Sequence, residues 1–150
     1  VIQGLEDVYN HGTASGFRVE GIKICGKTGT AENKIRVGGK TYQLKDHSIF
    51  VAFAPRDNPK IAIAVFIENS GFGATWAGPI ATLMIEKYIN GKISRTDLEE
   101  RMLKGSLAPE YKKIENIIYQ RFPDRSTDTD TALSNVETKV GEAKKEEEND

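Results

Sequence analysis

The sequence contains one cysteine, Cys25, which excludes an intramolecular disulfide and an all-cysteine metal site. No apolar run exceeds the seven residues of Ile61–Ile67, far below the roughly 20 needed for a membrane helix. Histidine occurs twice, at His11 and His47, far apart from each other and from Cys25, so a zinc site would need all three to converge with a carboxylate. Ordinary loop and core roles are the expectation for these three residues. The formal charge is −1 and no basic stripe interleaves with aromatics, which argues against a nucleic-acid surface. What remains is 150 residues, 38% hydrophobic and 29% charged, suited to one ordinary domain and unlike a collagen or a fully disordered chain. The chain opens on Val1 with no signal-peptide pattern and is read as a piece of a longer protein.

Charge is unevenly spread. Residues 123–150 carry nine acids against four bases, a net of −5, leaving +4 for residues 1–122. The last aromatic is Phe122, and a polar, proline-initiated stretch follows it. Beyond that stretch Ala132, Leu133, Val136 and Val140 recur at helical spacing, but the face is thin and ends in a Lys/Glu run. The expectation is a domain segment over 1–122 and an acidic tail over 123–150, flexible or a lone marginal helix.

Ile2, Leu5, Val8 and Tyr9 mark a first helix, with Gly12 as its stop. Phe17–Cys25 is rich in β-formers, with Gly21 breaking the alternation. Gly38-Gly39, flanked by Ile35 and Val37 and by Tyr42 and Leu44, predicts a small exposed hairpin. Ser48–Ala54 and Lys60–Glu68 are strand-length apolar runs joined by a turn of Pro, Asp and Asn. Strands apolar at nearly every position are expected to be covered on both faces. A glycine-containing loop over 69–75 precedes a helix with Pro79 in its first turn, a stripe of Ile80, Leu83, Met84 and Tyr88, and Gly91 at its end. Two shorter helices are predicted near Ser94–Lys104 and Glu110–Arg121. The order is that of an α+β fold, an antiparallel sheet flanked by helices.

The informative stretch is Gly21–Glu32. Gly21 through Thr28 satisfy the phosphate-loop pattern G-x-x-x-x-G-K-[ST]. That motif needs a loop wrapping the phosphate and opening a helix. Here the spacer Ile22–Cys25 favours a strand, and no helical period follows Thr28, so the nucleotide reading fails its context. The second match is K-T-G at the end of a strand, Lys27-Thr28-Gly29-Thr30, a signature of serine β-lactamases and penicillin-binding proteins. Strand alternation puts Thr28 and Thr30 on one face, where two hydroxyls can bind a carboxylate. Gly29 lacks a Cβ, so a substrate backbone can approach closely, and Lys27 supplies positive charge.

With Gly26–Glu32, His47–Pro55, Asn58–Asn69 and Pro79–Ala81, the chain resembles the C-terminal part of the transpeptidase domain of class B penicillin-binding proteins of the elongation type, the penicillin-binding protein 2 group. The resemblance covers about residues 1–90. It implies the serine β-lactamase/penicillin-binding transpeptidase fold and a peptidoglycan D,D-transpeptidase that crosslinks cell-wall stem peptides ending in D-Ala-D-Ala through a serine acyl-enzyme. By the same resemblance β-lactams bind there, Lys27 organises charge, Thr28 and Thr30 bind the terminal carboxylate, and the Thr30 N–H is an oxyanion donor. It implies no metal or organic cofactor. It also implies a parent anchored in the cytoplasmic membrane, with this domain on the outer face, among other cell-wall elongation proteins.

The family's nucleophile lies in S-x-x-K, assisted by S-x-N, and this sequence has neither. The chain alone is therefore expected not to acylate. A β-lactamase or β-lactam sensor of the same fold, or a non-catalytic module, differs from a transpeptidase only in residues outside this sequence. Phe72 and Trp76, in the glycine-containing loop, are expected to pack under it or to touch substrate.

Overall fold

The computed structural model describes residues 1–123. The elements are α1 (Ile2–His11), a 3-10 turn (Ser15–Phe17), β1 (Cys25–Ala31), β2 (Lys34–Val37), β3 (Lys40–Gln43), β4 (His47–Ala54), β5 (Ile61–Ile67), α2 (Ala77–Asn90), α3 (Thr96–Lys104) and α4 (Ala108–Arg121). β1, β4 and β5 form an antiparallel sheet in the order β1-β4-β5, and β2 and β3 pair separately as the predicted hairpin. Gly38 and Gly39 both have positive φ, +56° and +82°, the twist a two-residue hairpin turn requires. This is the expected α+β arrangement of antiparallel sheet and helices. The tail expected over 123–150 lies, beyond Pro123, outside the described residues. Among the described residues no helix is long and apolar enough to cross a membrane.

The register sorts the sheet into two faces. Thr28 lies opposite Phe50, which lies opposite Val65; Thr30, Ser48 and Ile67 form the next row. On this face Phe50 and Ala54 are fully buried, and Ile61, Ile63 and Val65 pack against the core. α2 packs on β4 and β5. Phe50 meets Phe17 edge-on at 5.7 Å, and Phe17 meets Tyr9 at 6.3 Å, which joins the segment before β1 to the core.

Three expectations are corrected. The β-formers of Phe17–Cys25 do not make a strand before Cys25: Gly21 turns the chain at φ +77°. Val19, Ile22 and Ile24 satisfy their apolar character by burial instead, since a strand needs a partner as well as propensity. The sheet is not covered on both faces among the described residues; Val51, Ala62, Ala64 and Phe66 of the second face are exposed. Finally, the buried side of α2 is not the stripe of Ile80, Leu83, Met84 and Tyr88. Leu83 is buried, but Met84 and Tyr88 are exposed, and Ala77, Gly78, Ala81, Thr82, Ile85 and Glu86 are buried. Small residues let this helix come close: a Cβ on Gly78 would run into the Phe17 ring. Gly91 closes the helix as expected, its amide donating to the Lys87 carbonyl at 2.9 Å.

Candidate functional site

The tetrad Lys27–Thr30 lies inside β1, which runs on to Ala31, so it occupies the body of the strand rather than its end. β1 is at the edge of the sheet and pairs only with β4 among the described residues. An edge strand leaves the main-chain groups of alternate residues free to pair with an extended peptide. No helix begins at Lys27 or Thr28, and the chain there is extended. A phosphate loop needs a coil opening into a helix, so the nucleotide reading has no structural basis here.

Lys27 is exposed, and its Nζ donates to the Thr28 carbonyl at 2.7 Å. Thr28 is half-buried and Thr30 exposed. The two threonines share one face, as their spacing requires, and Lys27 and Gly29 share the other, opposite Val51 and Ile49. Glycine at 26 and 29 also has a packing cause. A Cβ on Gly26 would lie 2.6 Å from Phe50 Cζ, and one on Gly29 would lie 3.2 Å from Ile49 Cβ. The space beside the Gly29 α-carbon is thus filled by the neighbouring strand.

A residue outside the motif joins the site. Thr13, in the bend after α1, places its Oγ1 2.8 Å from Thr28 Oγ1. Nothing in the spacing of the sequence signals it, because the pairing depends on how the chain returns from α1 to β1. That return is pinned by buried polar groups. The Tyr9 hydroxyl donates to the Phe17 carbonyl at 3.2 Å and accepts from the Val19 N–H at 2.9 Å. Burial pushes the Tyr9 hydroxyl up to about 12, although its hydrogen bond from Val19 and the charge of Arg95 act the other way. Arg95 Nη1 donates to the same Phe17 carbonyl at 2.6 Å, while its Nε donates to Glu86 Oε2 at 3.0 Å. Glu86 is 1% exposed. Burial alone would raise its carboxyl, but the Ser94 hydroxyl, the Ser94 amide and the Arg95 guanidinium outweigh it and hold the group below the ordinary carboxylate range. In the middle of α1, buried Glu6 pairs with Arg56 beyond β4.

The other candidates fall away from the motif. His47 pairs with Ala31 in the ladder, its Nδ1 accepts from the Asn69 N–H at 3.1 Å, and its ring rests on Phe66 at 5.2 Å. Cys25 is fully buried, and burial raises its thiol. His11 is exposed at the end of α1. Among the described residues no three His, Cys, Asp or Glu side chains are placed to hold a metal. Phe72 does not pack under its loop; it is 72% exposed and, with Leu44, Lys45 and Thr75, lines a concavity on the hairpin side. Trp76 is half-buried, its ring against Gly105.

Comparison with known proteins follows the same lines. Residues 1–86 match the family described as penicillin binding protein transpeptidase domain. Peptidoglycan D,D-transpeptidase MrdA of Haemophilus influenzae is 31% identical over 105 residues, covering 63% of this chain and 16% of that protein. MrdA of Acinetobacter baumannii is 43% identical over 82 residues, covering 50% of this chain and 12% of that protein. The solved structure of Pseudomonas aeruginosa PBP2 is 30% identical and covers 63% of this chain and 20% of that chain, with a TM-score of 0.46. The chain thus spans less than a fifth of the curated relatives named here. With the match running through the whole of β1, β4 and β5 and most of α2, the chain belongs to the penicillin-binding protein transpeptidase domain family.

Proposed function

We propose that this chain forms the strand wall of the acylation site of an elongation-type peptidoglycan D,D-transpeptidase, with residues 1–122 as the C-terminal segment of the catalytic domain. The observation that carries this reading is the extended Lys27–Thr30 tetrad, with Lys27 and Thr30 exposed, on a strand that is at the sheet edge among the described residues of a chain of this family. A stem peptide ending in D-Ala-D-Ala lies along that edge as an added strand. A serine from another segment of the protein attacks the penultimate D-Ala carbonyl, forming an ester and releasing the terminal D-Ala, whose amine takes up a proton. An amine of a neighbouring peptide then displaces the serine and closes the crosslink. β-Lactams acylate the same serine.

Lys27 supplies the positive charge beside the reacting groups. The Thr28 and Thr30 hydroxyls receive the terminal carboxylate, and the Thr30 N–H stabilises the oxyanion. The bare apolar face of Val51, Ala62, Ala64 and Phe66 supports the placement, since a sheet with such a face is suited to packing within a larger domain. The domain sits on the outer face of the cytoplasmic membrane, where stem peptides are found, and works beside other elongation proteins.

Lys27→Ala in the full-length protein tests the reading. Acylation by a fluorescent penicillin should fall on the order of 100-fold, the scale of losing one electrostatic stabiliser, with the melting temperature unchanged. Acylation at the wild-type rate would remove Lys27, and the reading with it.

A further inference from the structure

The loop between β5 and α2 lies against the strand that carries the tetrad, and hydrogen bonds to β4 and to the segments just before it hold it in place. Asn69 donates its N–H to His47 Nδ1 at 3.1 Å and accepts through Oδ1 from Asn33 Nδ2 at 2.6 Å. The Gly71 N–H donates to the Asp46 carbonyl at 2.7 Å. Ser48 Oγ donates to the Phe72 carbonyl and accepts from the Ala77 N–H, both at 3.1 Å. The Gly78 N–H donates to the Gly73 carbonyl at 2.8 Å. Gly73, fully within this scaffold, is buried and has no room for a side chain. A Cβ there would fall 2.7 Å from Gly29 O and 3.1 Å from Gly29 N, and closer still to Ile49 O. These are main-chain atoms, so no side-chain rotation relieves the overlap. Gly73 lies outside the left-handed region, so space rather than φ demands glycine here.

We propose that Gly73 is a positioning residue for acylation: its bare α-carbon seats the loop on Gly29 and so sets the orientation of the Thr30 N–H. The link is the peptide plane. Gly29 C=O and Thr30 N–H belong to one rigid planar unit, so whatever presses on the carbonyl turns the N–H. An oxyanion donor works only when it is aimed beforehand, and a misplacement of about 1 Å costs on the order of 100-fold. The inference rests on the function proposed above.

The test measures penicillin acylation of the full-length protein, separating the non-covalent binding constant from the acylation rate constant. Gly73→Ala should lower the rate constant by at least about tenfold and leave binding nearly unchanged, because the plane is tilted while the carboxylate contacts stay. Leu98→Ala, a buried core change in α3, serves as the stability control and should lower the melting temperature without moving the rate constant. If Gly73→Ala does not fold, Ser48→Ala takes its place. It loosens the same loop and should lower the rate constant at least about threefold, the scale of a lost hydrogen bond. An unchanged rate constant, or equal losses in the Leu98→Ala control, would overturn the role of Gly73. Wild-type acylation of Lys27→Ala defeats the proposed function; a defective Lys27→Ala beside a normal Gly73→Ala defeats this inference alone.

Discussion

Thr13 and Thr28, fifteen residues apart in the chain, bring their hydroxyl oxygens to 2.8 Å. One hydroxyl donates and the other accepts, so Thr13 fixes the rotamer of a side chain on the exposed strand edge. In the proposed function the Thr28 hydroxyl receives the substrate carboxylate, and a hydroxyl held in place beforehand loses less freedom on binding it.

Thr13→Val in the full-length protein therefore weakens non-covalent penicillin binding by about fivefold, the equivalent of one neutral hydrogen bond near 1 kcal/mol. The acylation rate constant changes less. Equal binding in the two proteins would mean that Thr28 needs no help from Thr13.

The Glu86–Arg95 pair is buried where α2 meets α3 and the turn before β1. Arg95→Met leaves a carboxylate almost fully enclosed with only Ser94 as partner, and costs about 3–5 kcal/mol by denaturant unfolding. Because the folded Glu86 carboxyl lies below its ordinary value, its contribution is present above the unfolded pKa and disappears as pH falls through the folded one. Glu86→Gln should therefore flatten the acid side of the stability profile; an identical acid limb in the variant would contradict the pairing.

Tyr9 titrates in the opposite direction. Its folded pKa of about 12 lies above the model-peptide value of 10.0, so the buried neutral phenol stabilises the fold fully below about pH 10. That stability is lost as pH rises toward 12. Tyr9→Phe should lower stability at neutral pH by about 1–3 kcal/mol, because the Val19 N–H loses its acceptor, and should flatten the alkaline limb. A limb unchanged by the substitution would assign it to another group.

Most of the local architecture was legible in the residues. The β4–β5 hairpin announces itself by two apolar runs around a Pro/Asp/Asn turn, and the β2–β3 hairpin by its paired glycines, because strand length and turn chemistry are properties of adjacent residues. The tetrad at Lys27 could be placed on a strand from the β-formers before it. The stretch from Phe17 to Ile24 misled for the complementary reason: a strand exists only where another backbone pairs with it, and Gly21 turns this one away.

By itself, then, the order of residues determined the α+β layout and the extended tetrad, since propensity, turn type and helix stops act over a few neighbours. Tertiary structure alone decided which side of α2 is buried, that Thr13 reaches Thr28, that Arg95 finds Glu86 and Phe17, and that Gly73 lies on Gly29. Those contacts join segments whose separation in the chain carries no periodic signal. They form only when the packing of one helix on one sheet has set the distances between them.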